Sequence, residues 1–196
     1  MKLSKKDQII ETATQLMFDK GIAATSMDDI AAAVPVSKMT IYKYFSSKDQ
    51  LAWEVLDRYV RQSHADMTST IQRCSSTVEA LLTIMESKDA AVPEQFLKDC
   101  YIHHPEFIQR MMSYYTTHIA GEFERLILDG QQKGEIRKEI SPHVIVLYLR
   151  ALKEFFSRPD VVIGMSDFQA VGEQFRSMFL YGIVSPDAPK RAPAET

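Results

Sequence analysis

The stretch SMDDIAAAVPVSKMTIYKYFSSKDQL, residues 26–51, holds a dense patch of Ser, Thr, Lys and Tyr between two apolar stretches. Three lysines and two tyrosines lie from Ser37 to Lys48, and no acidic residue lies among them. A solvated helix face normally mixes positive and negative side chains. A segment that is basic throughout and rich in hydrogen-bond donors therefore indicates a surface that contacts an anion.

The net charge shows that this anion contact must be local. The 196-residue chain has a net charge of −3, so the molecule as a whole does not attract polyanions. Residues 1–65 carry nine Lys/Arg against eight Asp/Glu, whereas the rest carries fourteen against eighteen. The basic segment thus lies in the less acidic third of the chain. Hydrophobic residues make up 45% of the sequence, which is ordinary for a protein with a buried core.

Several functional classes have no support in the sequence. The start, MKLSKKDQII, lacks the apolar core of a signal peptide, and no stretch approaches 18 apolar residues. We therefore expect a cytoplasmic protein without a membrane partner. Cys74 and Cys100 are too few for a disulfide framework or a zinc site, and His103 and His104 point about 100° apart on a helix. We expect no metal, no cofactor and no catalytic role, because nucleophile motifs and Gly-rich phosphate loops do not stand out.

Apolar residues at a period of 3.6 predict an all-α fold. Ser4, Ser26, Ser37, Ser47 and Ser76 precede such runs and are typical N-caps. Ser26 and Ser76 also begin predicted capping boxes, with an acidic residue three positions later. The predicted helices run from Lys5 to Gly21, Met27 to about Ala33, Ser37 to Tyr44 or Phe45, Lys48 to about Arg73, from Ser76 onward, from Pro93 onward, Pro105 to Gly134 with Gly121 and Gly130 as weak points, Pro142 to Phe156, and Asp167 to about Val184.

The third of these helices has two distinct faces. Ile41 and Phe45 lie four residues apart and are predicted to pack on the core. Met39, Thr40 and Lys43 lie on the opposite face, where they would reach base edges in a DNA major groove. The second and third helices, joined by a tight turn, predict a helix-turn-helix.

The segment from Lys5 to about Arg61 resembles the DNA-binding domain of the TetR (tetracycline-repressor) family of bacterial transcriptional regulators. The resemblance rests on a run of matches along the first four helices. The matching residues are Ile10, Ala13, Phe18, Gly21, Thr25-Ser26-Met27, Asp29-Ile30-Ala31, Val36-Ser37-Lys38, Thr40-Ile41-Tyr42, Tyr44-Phe45 and Ser47-Lys48-Asp49-Gln50-Leu51.

Two residues depart from the family pattern. Pro35 lies where the family most often has glycine, and a proline cannot supply a positive φ. The residue before a proline is also pushed out of the α region, so we expect the second helix to end by Ala33. Met39 lies where the family usually has a small residue. Its thioether could contact thymine methyl groups or pack on neighbouring protein.

The resemblance implies a homodimeric, sequence-specific DNA-binding regulator that binds double-stranded operator DNA. It further implies a repressor that is released by a small-molecule effector. Two alternatives stay open: a helical partner-binding protein with a degenerate helix-turn-helix, and a small enzyme that uses a cavity of the C-terminal domain. The predicted domains are residues 1–47 for DNA binding, 48–184 for effector binding and dimerisation, and a disordered tail from 185 to 196.

Three sets of site residues follow from the face assignment, the resemblance and the apolar pattern. The predicted DNA contacts are Thr25, Ser26, Ser37, Lys38, Met39, Thr40, Tyr42, Lys43, Tyr44 and Lys48. The resemblance implies an effector pocket lined by Cys100, Tyr101, His104, Met111, Met112, Tyr115 and His118. The helix from Pro142 is apolar on more faces than one core requires. With the last helix it predicts a dimer interface of Val144, Leu147, Phe168, Val171, Phe175, Met178 and Phe179.

Overall fold

The protein is built from helices, which confirms the predicted all-α class. The structure is a computed structural model that describes residues 3–86, 92–156, 158, 160–161 and 168–185. Its helices are α1 (Lys5–Lys20), α2 (Met27–Ala33), α3 (Lys38–Tyr44), α4 (Lys48–Arg73), α5 (Thr77–Glu86), α6 (Glu94–His103), α7 (Pro105–Tyr114), α8 (Ala120–Gln132), α9 (Pro142–Phe156) and α10 (Phe168–Ile183). Within these described ranges, no helix is long and apolar enough to cross a membrane.

The predicted N-caps form in the first four helices. The hydroxyl oxygens of Ser4, Ser26, Ser37 and Ser47 each accept the backbone N–H three residues later, at 3.1–3.2 Å. In α2, the Asp29 carboxylate also accepts the Ser26 backbone N–H at 2.9 Å, which completes the capping box. These local bonds satisfy N–H groups that a helix start leaves without partners, so the beginning of each helix is set by nearby sequence.

The turn between α2 and α3 follows the constraint that Pro35 imposes. Helix α2 ends at Ala33, as predicted, and Val34 is extended with φ −101° and ψ 142°. The Val36 N–H donates to the Val34 carbonyl at 2.8 Å. All residues with positive φ in the described part of the chain are glycines, so this turn forms without the left-handed residue that a glycine would permit.

Residues 1–62 and 92–111 form one compact unit. Its core contains Ile9 of α1, Ile30 of α2, and Ile41 with Phe45 at the end of α3, all 0% exposed. Phe96 of α6 is equally buried and joins this core through an aromatic edge contact to Phe18, whose ring centroid lies 5.1 Å away. Helix α3 is therefore held by one apolar face, which leaves its opposite face free of the core.

The described residues within 63–91 and 112–196 form the second compact unit. A buried cluster joins α5, α8, α9 and α10; its members include Leu81, Ile127, Ile145, Phe179 and Ile183. A π-helical turn, Tyr115–Ile119, precedes α8, which then runs through both Gly121 and Gly130 without a break. The structure thus places the irregularity of this segment at the π-helical turn rather than at either glycine.

The start of α5 is capped by a residue that is remote in sequence. Ser76 accepts the Glu79 N–H at 3.3 Å, which is one of the two bonds of the predicted capping box. The Glu135 carboxylate accepts the Thr77 and Val78 N–H groups at 2.6 and 3.2 Å and the Ser76 hydroxyl at 3.1 Å. Glu135 is only 7% exposed. The negative charge is stabilised there because it faces the N-terminal end of a helix.

The two compact units are divided inside α4, after Gln62, and the first of them also includes residues 92–111. The sequence-based division at residues 47 and 48 separates the helix-turn-helix from the later helices and stays a prediction of function. Disorder was predicted for residues 185–196. Ser185 is described, and its backbone N–H donates to the Glu135 carbonyl at 2.8 Å, whereas residues 186–196 lie outside the described part of the chain.

Candidate nucleic-acid interface

Helix α3 presents a mixed polar and apolar face away from its core contacts. With Ile41 and Phe45 buried, Met39 is 84% exposed, Tyr42 46% and Tyr44 40%. Lys43 is exposed on the same side. Side chains that reach base edges in a major groove must project from an unburied helix face. The structure gives α3 such a face.

The first turn of α3 is ordered by bonds to its own neighbours. The hydroxyls of Ser37 and Thr40 share a hydrogen bond of 2.8 Å in addition to the backbone cap. Lys38 forms an ion pair with Asp28 of α2, and this hydrogen bond raises the pKa of the Lys38 ammonium. Lys38 is therefore directed towards α2, and its charge is partly neutralised at the surface where a phosphate would bind.

Lys43 differs from Lys38 in this respect. Among the residues that the structure describes, no hydrogen bond or ion pair engages the Lys43 ammonium, whereas Lys20 and Lys38 each pair with an acid of α2. An unpaired ammonium on an exposed helix face keeps its full capacity to donate to an anion or to a base edge.

Thr25 does not offer a side chain to a ligand. It is 1% exposed, and its hydroxyl donates to the Gly21 carbonyl at 2.7 Å. Its predicted DNA contact is corrected on this ground, because the side chain closes the turn between α1 and α2 instead. Ser26, the next residue, is exposed, and its hydroxyl oxygen accepts the Asp29 N–H at 3.1 Å.

Lys48, predicted to contact a phosphate, lies at the start of α4 and anchors that same turn. Its ammonium donates to the Ile22 carbonyl at 2.9 Å and lies 3.5 Å from the Ala23 carbonyl. Two of its three protons are therefore directed inward. This anchoring role was not visible in the sequence, where Lys48 stood out only as a cation at a helix start.

Asp99 of α6 supplies a hydrogen-bond acceptor to the same turn, which Lys48 supplies with a donor. It is 4% exposed, and its Oδ2 accepts the Ala23 backbone N–H at 2.8 Å, while Oδ1 accepts the Gln95 amide at 3.0 Å. A buried carboxylate is costly unless it is hydrogen-bonded. Asp99 was missed at the sequence level; the available signal was an acid placed between the apolar residues Phe96 and Cys100 of one helix.

The residues predicted to line an effector pocket are divided between the two compact units. Cys100, Tyr101, His104 and Met111 belong to the first, and Met112, Tyr115 and His118 to the second. Burial raises the pKa of the Cys100 thiol to about 12, so it remains a thiol and does not react readily. His104 stacks on Phe107 with ring centroids 4.7 Å apart. The role of this set in effector binding stays a prediction.

A polar cluster in the second unit was also missed. His64 hydrogen-bonds the Tyr114 hydroxyl through Nδ1 and the Glu122 carboxylate through Nε2, both at 2.9 Å. Thr68 donates to the same carboxylate at 3.0 Å. In the sequence His64 is isolated, because its partners lie 50 and 58 residues away. The π-helical turn begins directly after Tyr114, and such turns are frequent at functional sites.

Helices α9 and α10 carry exposed apolar side chains. Val144 and Leu147 of the predicted dimer interface are 53% and 47% exposed, and Met178 is 66% exposed. Val171 and Phe175 are half-buried, and the Phe168 side chain lies outside the described part. Tyr148, Phe155 and Tyr181 are exposed as well and were not predicted.

Phe179 requires a correction. It is 5% exposed and belongs to the core cluster of the second unit. Its ring stacks on Tyr148 with centroids 6.1 Å apart. On α10, Phe179 therefore packs into the core, whereas Met178 and Tyr181 face outward. A helical wheel identifies an apolar stripe but not which of its edges meets the protein's own core.

Comparisons with known proteins agree with this geometry. The family model for bacterial regulatory proteins, tetR family, matches residues 9–55. The HTH-type transcriptional repressor KstR2 of Rhodococcus jostii is 24% identical to this chain, and the match covers 94% of this chain and 94% of the length of KstR2. The HTH-type transcriptional activator FasR of Mycolicibacterium smegmatis is 32% identical over 52% of this chain and 49% of its own.

Solved structures share the fold over the length of the chain. A transcriptional regulator from Saccharomonospora viridis, solved in complex with choline, superposes with a TM-score of 0.69 at 20% identity. The match covers 92% of this chain and 97% of that one. The likeness therefore extends beyond the helix-turn-helix to the arrangement of the later helices.

Proposed function

We propose that the chain is a DNA-binding transcriptional regulator of the TetR family and that it represses transcription as a homodimer on its operator until a small molecule releases it. In this proposal residues 1–47 bind DNA, and residues 48–184 bind the effector and form the dimer. The protein acts in the cytoplasm, where its chromosomal target lies.

The outward face of α3 is the observation that carries the proposal. Met39, Tyr42, Lys43 and Tyr44 project from a helix whose other face is fixed in the core. Lys43 supplies a charge for the major groove, and the tyrosine hydroxyls can donate to phosphates on either side. Ser26, Ser37, Lys38 and Thr40 line the same surface and are the remaining proposed contacts; Lys48 contributes a phosphate contact only through its third proton.

A dimer is supported by the exposed apolar residues of α9 and α10. Val144, Leu147, Tyr148, Met178 and Tyr181 are each more than 40% exposed. A soluble chain rarely leaves so many large apolar side chains in water on two neighbouring elements. A second copy related by a two-fold axis would cover them. Two such chains present two recognition helices, and half-sites about 34–36 Å apart are the simplest match on B-DNA.

An effector is supported by the family and by one structural neighbour. The S. viridis regulator was solved with choline, so this fold can hold a small molecule. A ligand shifts the regulator away from DNA only if it binds the DNA-incompetent conformation more tightly. Repression is preferred to activation because KstR2, which is named a repressor, matches over nearly the whole chain, whereas the activator FasR matches over about half.

The test is binding of full-length protein to DNA upstream of its own gene, measured by gel shift across salt concentrations. We expect a specific complex whose affinity falls steeply with salt. Lys43→Ala should weaken specific binding by about 1–3 kcal/mol. Lys138→Ala, which removes an exposed lysine outside the proposed surface, is the matched control. Absence of a specific complex would favour the partner-binding alternative, and turnover of a substrate by the full-length protein would favour the enzyme.

A further inference from the structure

Two exposed side chains on the outward face of α3, Met39 and Lys43, are not engaged by a hydrogen bond or an ion pair in the described part of the chain. Lys38 is paired with Asp28, and the Thr40 hydroxyl is bound to Ser37. Met39, in contrast, is 84% exposed, more than any other large apolar residue described in the first unit. Lys43 has no ion-pair partner among the described residues. With Tyr42 and Tyr44 assigned to phosphates, Met39 and Lys43 are the apolar side chain and the cation that this face offers to base edges.

Met39 and Lys43 are four residues apart on the same helix, so their side chains lie on one side. The rise of 1.5 Å per residue separates them by about 6 Å along the helix axis. Successive base pairs are about 3.4 Å apart. A helix that lies along the major groove therefore presents the two side chains to base pairs about two steps apart.

The chemistry of the two side chains selects different base edges. The thymine C5-methyl is the apolar group that the major-groove edges display, and the other groups there are hydrogen-bond donors and acceptors. A thioether without a donor contacts the methyl without leaving a polar group unpaired. A lysine ammonium matches the O6 and N7 acceptors of guanine.

We propose that Met39 reads a thymine methyl group in each half-site and that Lys43 reads a guanine about two base pairs from it. The inference rests on the proposed function, because it requires that α3 enter the major groove. It adds the base chemistry that the operator must offer. The alternative is that the Met39 side chain packs on a neighbouring protein surface, and the experiment distinguishes this contact from one with a thymine methyl group.

The experiment begins with duplexes selected by the full-length protein from a randomised DNA library. Each thymine of the best duplex is then replaced, one at a time, by deoxyuridine, which removes only the methyl group. Affinities are measured by fluorescence anisotropy for the wild type, Met39→Ala and Met39→Leu. Leu128→Ala, which truncates an exposed apolar residue of α8, is the matched control.

We expect one thymine per half-site at which deoxyuridine weakens wild-type binding about fourfold, the equivalent of one methyl group buried. Met39→Ala should bind both duplexes equally, and Met39→Leu and Leu128→Ala should retain the difference. In the second arm, 7-deazaguanine replaces each guanine in turn, and Lys43→Ala should remove the sensitivity at a position about two base pairs away.

The outcomes distinguish the inference from the proposed function. If no duplex is enriched, the proposed function itself fails. If a duplex is bound specifically but no thymine shows a loss that depends on Met39, the inference is overturned and Met39 serves another surface. Because Met39 is exposed, its truncation should leave the far-UV circular dichroism of the protein unchanged, so a loss of binding would not reflect unfolding.

Discussion

Replacing Gly21 by alanine tests the packing of α6 against the turn between α1 and α2. Gly21 has φ 89° and ψ 165°, a backbone region that is essentially confined to glycine. A Cβ at this position would lie 2.6 Å from Asp99 Oδ2 and 3.0 Å from Gln95 Cγ. The glycine is thus required twice, once by its own backbone and once by a neighbouring side chain.

The two requirements have separable costs. Backbone strain at Gly21→Ala should lower the free energy of unfolding by about 1–3 kcal/mol. Overlap with Asp99 should add about 1–3 kcal/mol, the usual cost of overpacking. In an Asp99→Ala background the overlap with the carboxylate is gone and only the 3.0 Å approach to Gln95 Cγ is left, so the same substitution should cost little more than the backbone strain. The coupling between the two changes is then about 1–3 kcal/mol.

The assay is urea unfolding followed by far-UV circular dichroism for the wild type, both single variants and the double variant. Protein concentration is held constant, because the stability of a dimer depends on it. Gly121→Ala is the matched control. Apart from its chain neighbours and the backbone of its own helix, no described atom lies within 4 Å of a Cβ built there, and alanine is the better helix former. If Gly21→Ala costs the same with and without Asp99, the proposed close approach of α6 to this turn is refuted.

Three further predictions concern other parts of the structure. Lys48→Met should lower the free energy of unfolding by about 1–2 kcal/mol, because the Ile22 carbonyl loses its charged donor. If the variant instead reduces the dependence of log affinity for DNA on log salt concentration by about one, the result would support a phosphate contact. Met178→Glu should give folded monomers in sedimentation, whereas Phe179→Glu should unfold the second unit; a dimeric Met178→Glu variant would place the interface elsewhere. Hydrogen bonds from the Ser26 backbone N–H and from Lys20 lower the pKa of Asp29 from 3.8 to about 2. The ionised Asp29 carboxylate therefore contributes its full stabilisation above pH 4, and this contribution is lost as the pH falls towards 2. Asp29→Asn should flatten that part of the stability profile in thermal unfolding, and an unchanged profile would argue against the capping box.

The local features of the helix-turn-helix could be predicted because their causes lie within a few residues. The Ser26 and Ser37 caps, the end of α2 before Pro35, and the burial of Ile41 and Phe45 each follow from nearby sequence. A cap spans three residues, and a helix face repeats every three or four. Such patterns can be recognised in the sequence without knowledge of any other helix.

The misjudged residues share a different property. Thr25 looked like a surface hydroxyl, but its position inside the turn buries it against the Gly21 carbonyl. Phe179 looked like an interface residue because one helix alone does not reveal which edge of its stripe meets a core. In both cases the deciding contact belongs to the packing of the unit rather than to the pattern of the helix.

The residue pattern was enough to predict an all-helical chain with a helix-turn-helix in its first third and a basic, acid-free recognition segment. Periodicity, capping and proline stereochemistry act over short distances, so they can be read along the chain. Tertiary structure alone decided that Asp99 and Lys48 hold the turn at Ala23, that Glu135 caps α5, and that His64 meets Glu122. Each of these contacts joins residues 25 to 76 positions apart. A buried charge is stable only beside such a partner, and folding alone brings that partner into place.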